Sequence, residues 1–305
     1  MTAEITVVSG KGGTGKTSVT AAFAKLAGRT VICDLDVDAA DLHILLQPEI
    51  LETTAFEGGK IAIFEQNMCK GCVLCERYCR FGAIAKIDGV IKFDPLRCEG
   101  CGVCAQFCPF GAIVMRPRRA GQWFRSRTPF GTMLHAELYP GEENSGLLVT
   151  QLREEARDAA REEGCDYILS DGPPGIGCPV ISAVSGTGFV VIVTEPTVSG
   201  VHDLRRIADL CNHFSRPVGV LLNKADLNLA LADEVGALCA ERGYPVLARI
   251  PYEPAVVRAL VEGRTLDSVT ENGIADGIKH AWQTVISSLG RKEKCQQHAN
   301  NMPTT

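Results

Sequence analysis

Short apolar runs rich in β-branched residues recur along this chain, and amphipathic stretches fill the gaps between them. Residues 4–9, 30–34, 166–171, 189–194 and 217–222 are runs of this kind. Each is too short for a helix and too continuously apolar for a strand with one wet face, so they predict strands buried on both sides. Helical periodicity occupies 18–26, 151–163, 200–214, 228–242, 254–262 and 273–289. Strands alternating with helices predict an α/β fold, a mostly parallel sheet with helices on both faces. A ligand of such a sheet sits at the C-terminal ends of its strands.

The first strand end carries a phosphate loop. Gly10, Lys11, Gly12, Gly13, Thr14, Gly15, Lys16 and Thr17 spell G-x-x-x-x-G-K-T between a strand and a helix. Glycines let backbone N–H groups turn inward onto phosphate oxygens, and the helix N-terminus adds partial positive charge. Lys16 is expected at the β- and γ-phosphates, and the Thr17 hydroxyl on Mg²⁺. Acidic residues follow other strands: Asp34, Asp36 and Asp38 after the second, Asp171 after 166–170. Asn223-Lys224-Ala225-Asp226 closes the 217–222 run and matches the guanine motif N-K-x-D, so GTP stands beside ATP at this point.

Composition adds a second chemistry. Of 14 cysteines, eight fall between 69 and 108. Nothing at the N-terminus has the basic, apolar and small-residue order of a signal peptide, and no apolar run nears the roughly 18 residues of a membrane span. The expectation is a cytoplasmic chain without a membrane role, in which crowded cysteines bind metal rather than form disulfides. The net charge of −5 argues against a nucleic-acid partner. One basic stretch, Arg116, Arg118, Arg119, Arg125 and Arg127, reads as a solvated loop or as a docking patch for an acidic redox partner.

The eight cysteines form two runs, Cys69-x₂-Cys72-x₂-Cys75-x₃-Cys79 and Cys98-x₂-Cys101-x₂-Cys104-x₃-Cys108-Pro109. This is the doubled C-x₂-C-x₂-C-x₃-C-P pattern of bacterial ferredoxins, with Arg80 replacing the first proline. In it, three thiolates of one run and the fourth of the other hold each [4Fe–4S] cluster. Cys69, Cys72, Cys75 and Cys108 are therefore assigned to one cluster, and Cys98, Cys101, Cys104 and Cys79 to the second. Phe81-Gly-Ala-Ile84 and Phe110-Gly-Ala-Ile113 extend the repeat. Zinc ribbons use paired C-x₂-C arms instead.

The form K-G-G-T-G-K-T resembles the deviant Walker A of the ParA/MinD/Mrp and nitrogenase iron-protein superfamily. That resemblance implies a homo- or heterodimer paired across the nucleotide, with Lys11 reaching the partner's phosphates. It implies that Asp36 positions the attacking water and, with Thr17 and Asp171, serves Mg²⁺. Asp171-Gly-Pro-Pro-Gly175 looks like the family's Walker B. Asn223 and the loop at Pro251 would contact adenine, which favours ATP. Cys178 stands seven residues after Asp171, where the nitrogenase iron protein has a cluster ligand, but 141–146 offers no second cysteine. The two Walker elements lie about 155 residues apart, roughly 50 more than the family spends. The whole chain is similar to MinD-superfamily ATPases of anaerobes that carry an inserted two-[4Fe–4S] ferredoxin domain, some encoded beside the orange protein of sulfate reducers. The expected layout is an ATPase in two parts, 1–60 and 116–290, a ferredoxin-like insert at 61–115 and a disordered tail at 291–305. The resemblance implies an ATPase gating electron transfer to a redox or metal-cofactor client. A cluster scaffold or carrier is the alternative. A positioning ATPase is third, since the polar tail offers no apolar face to a membrane.

Overall fold

The computed structural model describes residues 2–142 and 146–299. In chain order it forms β1 (Ala3–Ser9), α1 (Lys16–Ala27), β2 (Thr30–Asp34), α2 (Leu42–Leu46), β3 (Glu49–Phe64), α3 (Leu74–Tyr78), β4 (Ile84–Ile87), β5 (Val90–Phe93), α4 (Val103–Gln106), β6 (Ile113–Thr128), β7 (Gly131–Leu138), α5 (Leu147–Glu163), β8 (Tyr167–Pro174), α6 (Cys178–Val184), β9 (Phe189–Thr194), α7 (Val198–His213), β10 (Val218–Asn223), α8 (Leu229–Arg242), β11 (Val246–Ile250), α9 (Pro254–Val261) and α10 (Ile274–Ala299).

Nine strands make one sheet in the order β11-β10-β9-β1-β8-β2-β7-β6-β3. From β11 through β7 every neighbouring pair is parallel. β6 and β7 are joined by Pro129 and Phe130 alone, a link too short for the crossover a parallel pair needs. Side chains alternate across β1. Ile5 and Val7 pack with Val19 and Phe23 of α1 and Ile278 and Trp282 of α10. Val8 packs on the opposite face with Val180 of α6, Leu204 and Ile207 of α7 and Val235 of α8. The fold is thus an α/β sheet, mostly parallel, with helices on both faces.

The chain divides into two compact units. The larger comprises Met1–Thr53, Trp123–Glu137 and Asn144–Thr305. The smaller comprises Thr54–Gln122 and Leu138–Glu143, wider than the expected 61–115. Within the smaller unit β4 and β5 pair antiparallel through Asp88-Gly89, both at positive φ (50° and 82°), a sequence suited to that turn. The short helices α3 and α4 begin just before the third cysteine of each run and contain it, Cys75 in α3 and Cys104 in α4.

Two long strands, β3 and β6, escape the hydrophobic pattern. β3 is exposed along most of its length and interrupted by Gly58-Gly59, while β6 contains Pro117, Gly121 and the five arginines. The basic stretch is therefore strand, not loop, because ladder hydrogen bonds to neighbours outweigh its poor local propensity. Arg118 and Arg125 are engaged in ion pairs, with Glu142 and with Glu162 and Glu163. In the expected tail, α10 (Ile274–Ala299) runs past Gly290 to Ala299, through Lys, Glu, Gln and Ala residues that favour helix. Residues 300–305 of the expected tail lie outside the described residues. No helix among the described residues is long and apolar enough to cross a membrane.

Candidate functional site: a phosphate loop and two cysteine-lined cavities

The phosphate loop hangs between the end of β1 and the start of α1. Gly15 precedes α1 at φ 91°, and a Cβ there would stand 2.5 Å from Asn223 Nδ2. A Cβ on Gly10 would stand 2.1 Å from Asp203 Cβ. Neither position admits a side chain. Asn223, at the end of β10, donates through Nδ2 to the Thr14 carbonyl at 2.8 Å and accepts the Lys224 N–H at 3.0 Å. Its amide, expected on adenine, here braces the loop.

Inside the loop, buried Lys16 places Nζ 2.9 Å from Asp171 Oδ1 and 3.3 Å from Asp36 Oδ2. The hydroxyls of Thr17 and Thr20 donate to the two oxygens of Asp171 at 2.7 and 2.9 Å. Asp34 is fully buried and accepts the N–H groups of Asp36 and Leu42 at 3.2 Å each. Burial pushes the Asp34 carboxyl well above the usual carboxylate range, and the charge of Asp171 adds to the effect. Burial raises Asp36 as well, against the pull of Lys16. For Lys16 burial works the other way, yet Asp171 and Asp36 outweigh it and hold the ammonium above its ordinary value. Two carboxylates, Asp36 and Asp171, thus meet the Lys16 ammonium, and the Thr17 and Thr20 hydroxyls sit on Asp171, oxygen groups of the kind Mg²⁺ takes. The Thr14 hydroxyl is buried with no hydrogen-bond partner among the described residues, as an atom awaiting a phosphate oxygen would be.

Lys11 is held within its own chain. Its Nζ lies 2.5 Å from Glu195 Oε1 and donates to the Thr197 and Ser199 hydroxyls at 3.3 and 3.2 Å. Lys224 takes the other Glu195 oxygen at 3.1 Å and the Gly13 carbonyl at 3.2 Å. Burial would raise the Glu195 carboxyl, but hydrogen bonds from the two lysines bring it below its ordinary value. Pro251 follows β11 in a segment tied to the N-K-x-D stretch. Tyr252 N–H donates to Asp226 Oδ1 at 2.6 Å, and Ala225 N–H to the Ile250 carbonyl at 2.8 Å. Cys178 is exposed at the first residue of α6.

The smaller unit encloses two cavities. One is lined by Cys69, Cys72, Cys75 and Cys108 together with Phe64, Val73, Ile91 and Ile113. The other is lined by Cys79, Cys98, Cys101 and Cys104 together with Tyr78, Phe93, Val103 and Met115. The last cysteine of each run thus lines the cavity of the other. Ala112 N–H donates to Cys108 Sγ at 3.3 Å, the kind of contact that steadies a thiolate. Burial raises the Cys75 and Cys104 thiols above their ordinary value. Among the described residues no three Cys, His, Asp or Glu side chains converge as a single ion would require. Each set of four cysteines lines a space otherwise walled by apolar side chains, a donor set that fits an iron–sulfur cluster.

A family profile described as the CobQ/CobB/MinD/ParA nucleotide binding domain matches residues 5–266. The chain belongs to the CobQ/CobB/MinD/ParA family. An uncharacterized protein of Methanocaldococcus jannaschii is 34% identical to this family member over 229 residues, 74% of this chain and 79% of its own. A cytosolic Fe-S cluster assembly factor, a Nubp1 homolog of Drosophila pseudoobscura pseudoobscura, is 27% identical over 144 residues, 41% of this chain and 46% of its own. The septum site-determining protein MinD of Pyrococcus horikoshii, complexed with Mg-ADP, has a TM-score of 0.53 at 19% identity, covering 92% of this chain and 95% of its own. That last likeness shows the fold alone.

Two participants in this MinD/ParA-type site were not singled out in the sequence. Thr20 is the one hydroxyl in the apolar stretch Val19–Ala24, and its position three residues after Thr17 puts it on the same helix face. Glu195 stands directly after the β9 run, at a strand end where the fold collects functional groups. Its charge next to a buried strand was the available signal.

Proposed function

We propose that this MinD/ParA-type chain binds and hydrolyses ATP and holds two [4Fe–4S] clusters, and that nucleotide state gates electron transfer to a redox or metal-cofactor client. The observation that carries the proposal is the four-and-four lining of two cavities by the ferredoxin-type cysteines, in the same chain as a braced phosphate loop. When bound, such clusters supply one-electron chemistry. Cys69, Cys72, Cys75 and Cys108 would hold one, and Cys98, Cys101, Cys104 and Cys79 the other, in a ferredoxin-like insert.

At the nucleotide, Lys16 exchanges its carboxylate partners for phosphate oxygens, and Thr17, Asp36 and Asp171 take Mg²⁺. Asp36 orients the attacking water. Lys11 leaves Glu195 and acts across a dimer, where a cation on the transferred phosphoryl stabilises its charge. ATP is favoured over GTP, because the Asp226 oxygen that would read a guanine edge already accepts the Tyr252 N–H. The solved MinD relative complexed with Mg-ADP agrees with an adenine nucleotide. A competition assay with ATP and GTP tests the base. Anaerobic redox titration with and without ATP tests the gating: linkage turns a tenfold change in nucleotide affinity into about 59 mV for one electron.

A second reading, an ATP-dependent cluster scaffold, is favoured by the likeness to a cytosolic Fe-S cluster assembly factor. Iron transfer to an apo-client, with potentials indifferent to nucleotide, would establish that reading instead.

A further inference from the structure

The two cysteine runs are repeats, yet the charges beside them are not. Arg118, in β6 and beyond the end of the repeat, is half-buried and donates from Nη1 to the Cys98 carbonyl at 2.9 Å. Its Nε and Nη2 both grip Glu142 Oε1, at 2.6 and 2.5 Å. Glu142 is equally sheltered, with 14% of its side chain exposed against 16% for Arg118. The first run is fastened by another kind of group. There the exposed Lys86 ammonium reaches the Gly71 carbonyl at a looser 3.4 Å. An exposed ammonium is screened by water and salt, whereas a half-buried guanidinium–carboxylate pair is screened far less.

We infer that the Arg118–Glu142 pair sets the reduction potential of the Cys98–Cys101–Cys104–Cys79 site alone and so makes the two sites electronically unequal. The inference rests on the proposal that both cavities hold clusters. Reduction adds one electron, and so one negative charge, to the group those four thiolates hold. Arg118 presents the positive end of the pair to the Cys98 loop, with Glu142 on the far side of its guanidinium. Positive charge nearby favours the reduced state, and negative charge opposes it. Removing one partner at a time must therefore move the potential in opposite directions. Arg118→Met leaves the Glu142 carboxylate unbalanced and makes reduction harder. Glu142→Gln leaves the Arg118 guanidinium unbalanced and makes reduction easier. A pair that merely props up the Cys98 loop would give shifts of one sign, or equal disturbance of both sites. Arg118 is a positioning residue: it acts through the Cys98 peptide and its charge, touching no reactant.

The test is a dithionite titration of the whole, anaerobically purified chain, followed by electron paramagnetic resonance. Arg118→Met should lower one of two potentials and Glu142→Gln should raise that same one, each by about tenfold in the reduction equilibrium, about 59 mV. The other potential should stay where it was, and Arg118→Lys should recover part of the loss. Unshifted potentials in both variants, or shifts of the same sign, would overturn the inference. Should Arg118→Met shed its iron, the near-isosteric Glu142→Gln still decides the case by its sign. A wild-type chain without iron would instead refute the cluster assignment itself.

Discussion

Single residues separate binding from chemistry at the phosphate loop. Lys16 lies against Asp171 and Asp36 at 2.9 and 3.3 Å, while Lys11 lies outside that group on Glu195. Lys16→Ala should therefore abolish ATP binding. Lys11→Ala should keep binding within about twofold and lose hydrolysis by about 10³-fold, the scale of a lost arginine finger. Equal loss of both properties in Lys11→Ala, measured by equilibrium binding and phosphate release, would refute the role in trans. The cysteine runs offer a parallel test, since Cys79 and Cys108 each line the cavity of the other run. Cys108→Ala should disturb the cluster signal of the Cys69 run and spare that of its own. The halves also differ in backbone. Val73 sits at φ 58° where the second half has Gly102 at φ 76°. A β-branched residue in that region costs about 1–2 kcal/mol. Gly102→Val should lower the unfolding free energy measured in urea by about 1–2 kcal/mol, whereas an unchanged value would mean the loop adapts freely.

At the scale of elements, β6 and β7 bring together groups that the sequence pattern hid. His135 of β7 is buried, 2.9 Å from the Ser126 hydroxyl of β6, and its ring stacks on Phe124 and on His43 of α2. Burial, with a smaller contribution from His43, lowers its pKa from 6.5 to about 4. A histidine depressed in the fold contributes stability above its unfolded pKa and loses it as pH falls toward the folded one. Stability should therefore drop by roughly 1–3 kcal/mol between pH 6.5 and about 4, and His135→Gln should flatten that slope. Urea unfolding across the window measures it; an identical slope in the variant would remove His135 as the cause. Strands buried on both faces, such as β1 and β9, were legible as apolar runs because nearly every position is inside. β3 and β6 were not, because exposed positions and arginines erase the alternation, and their pairing is decided by neighbours distant in sequence.

The whole molecule was legible where chemistry demands fixed spacing. The phosphate loop and the cysteine runs announce themselves because backbone turns and thiolate geometry leave few alternatives. Contacts between distant segments were not legible: Asn223 on Thr14, Glu195 between two lysines, and Arg118 on Cys98 all depend on the folded chain. The central claim is that nucleotide and clusters share one chain and influence one another. Its most direct test is a redox titration of the anaerobically purified protein, with iron counted, in the presence and absence of Mg-ATP. About eight irons per chain are expected from two cubanes, with at least one potential that moves on adding ATP. Iron well short of that number, or two potentials unmoved by saturating ATP, would contradict it.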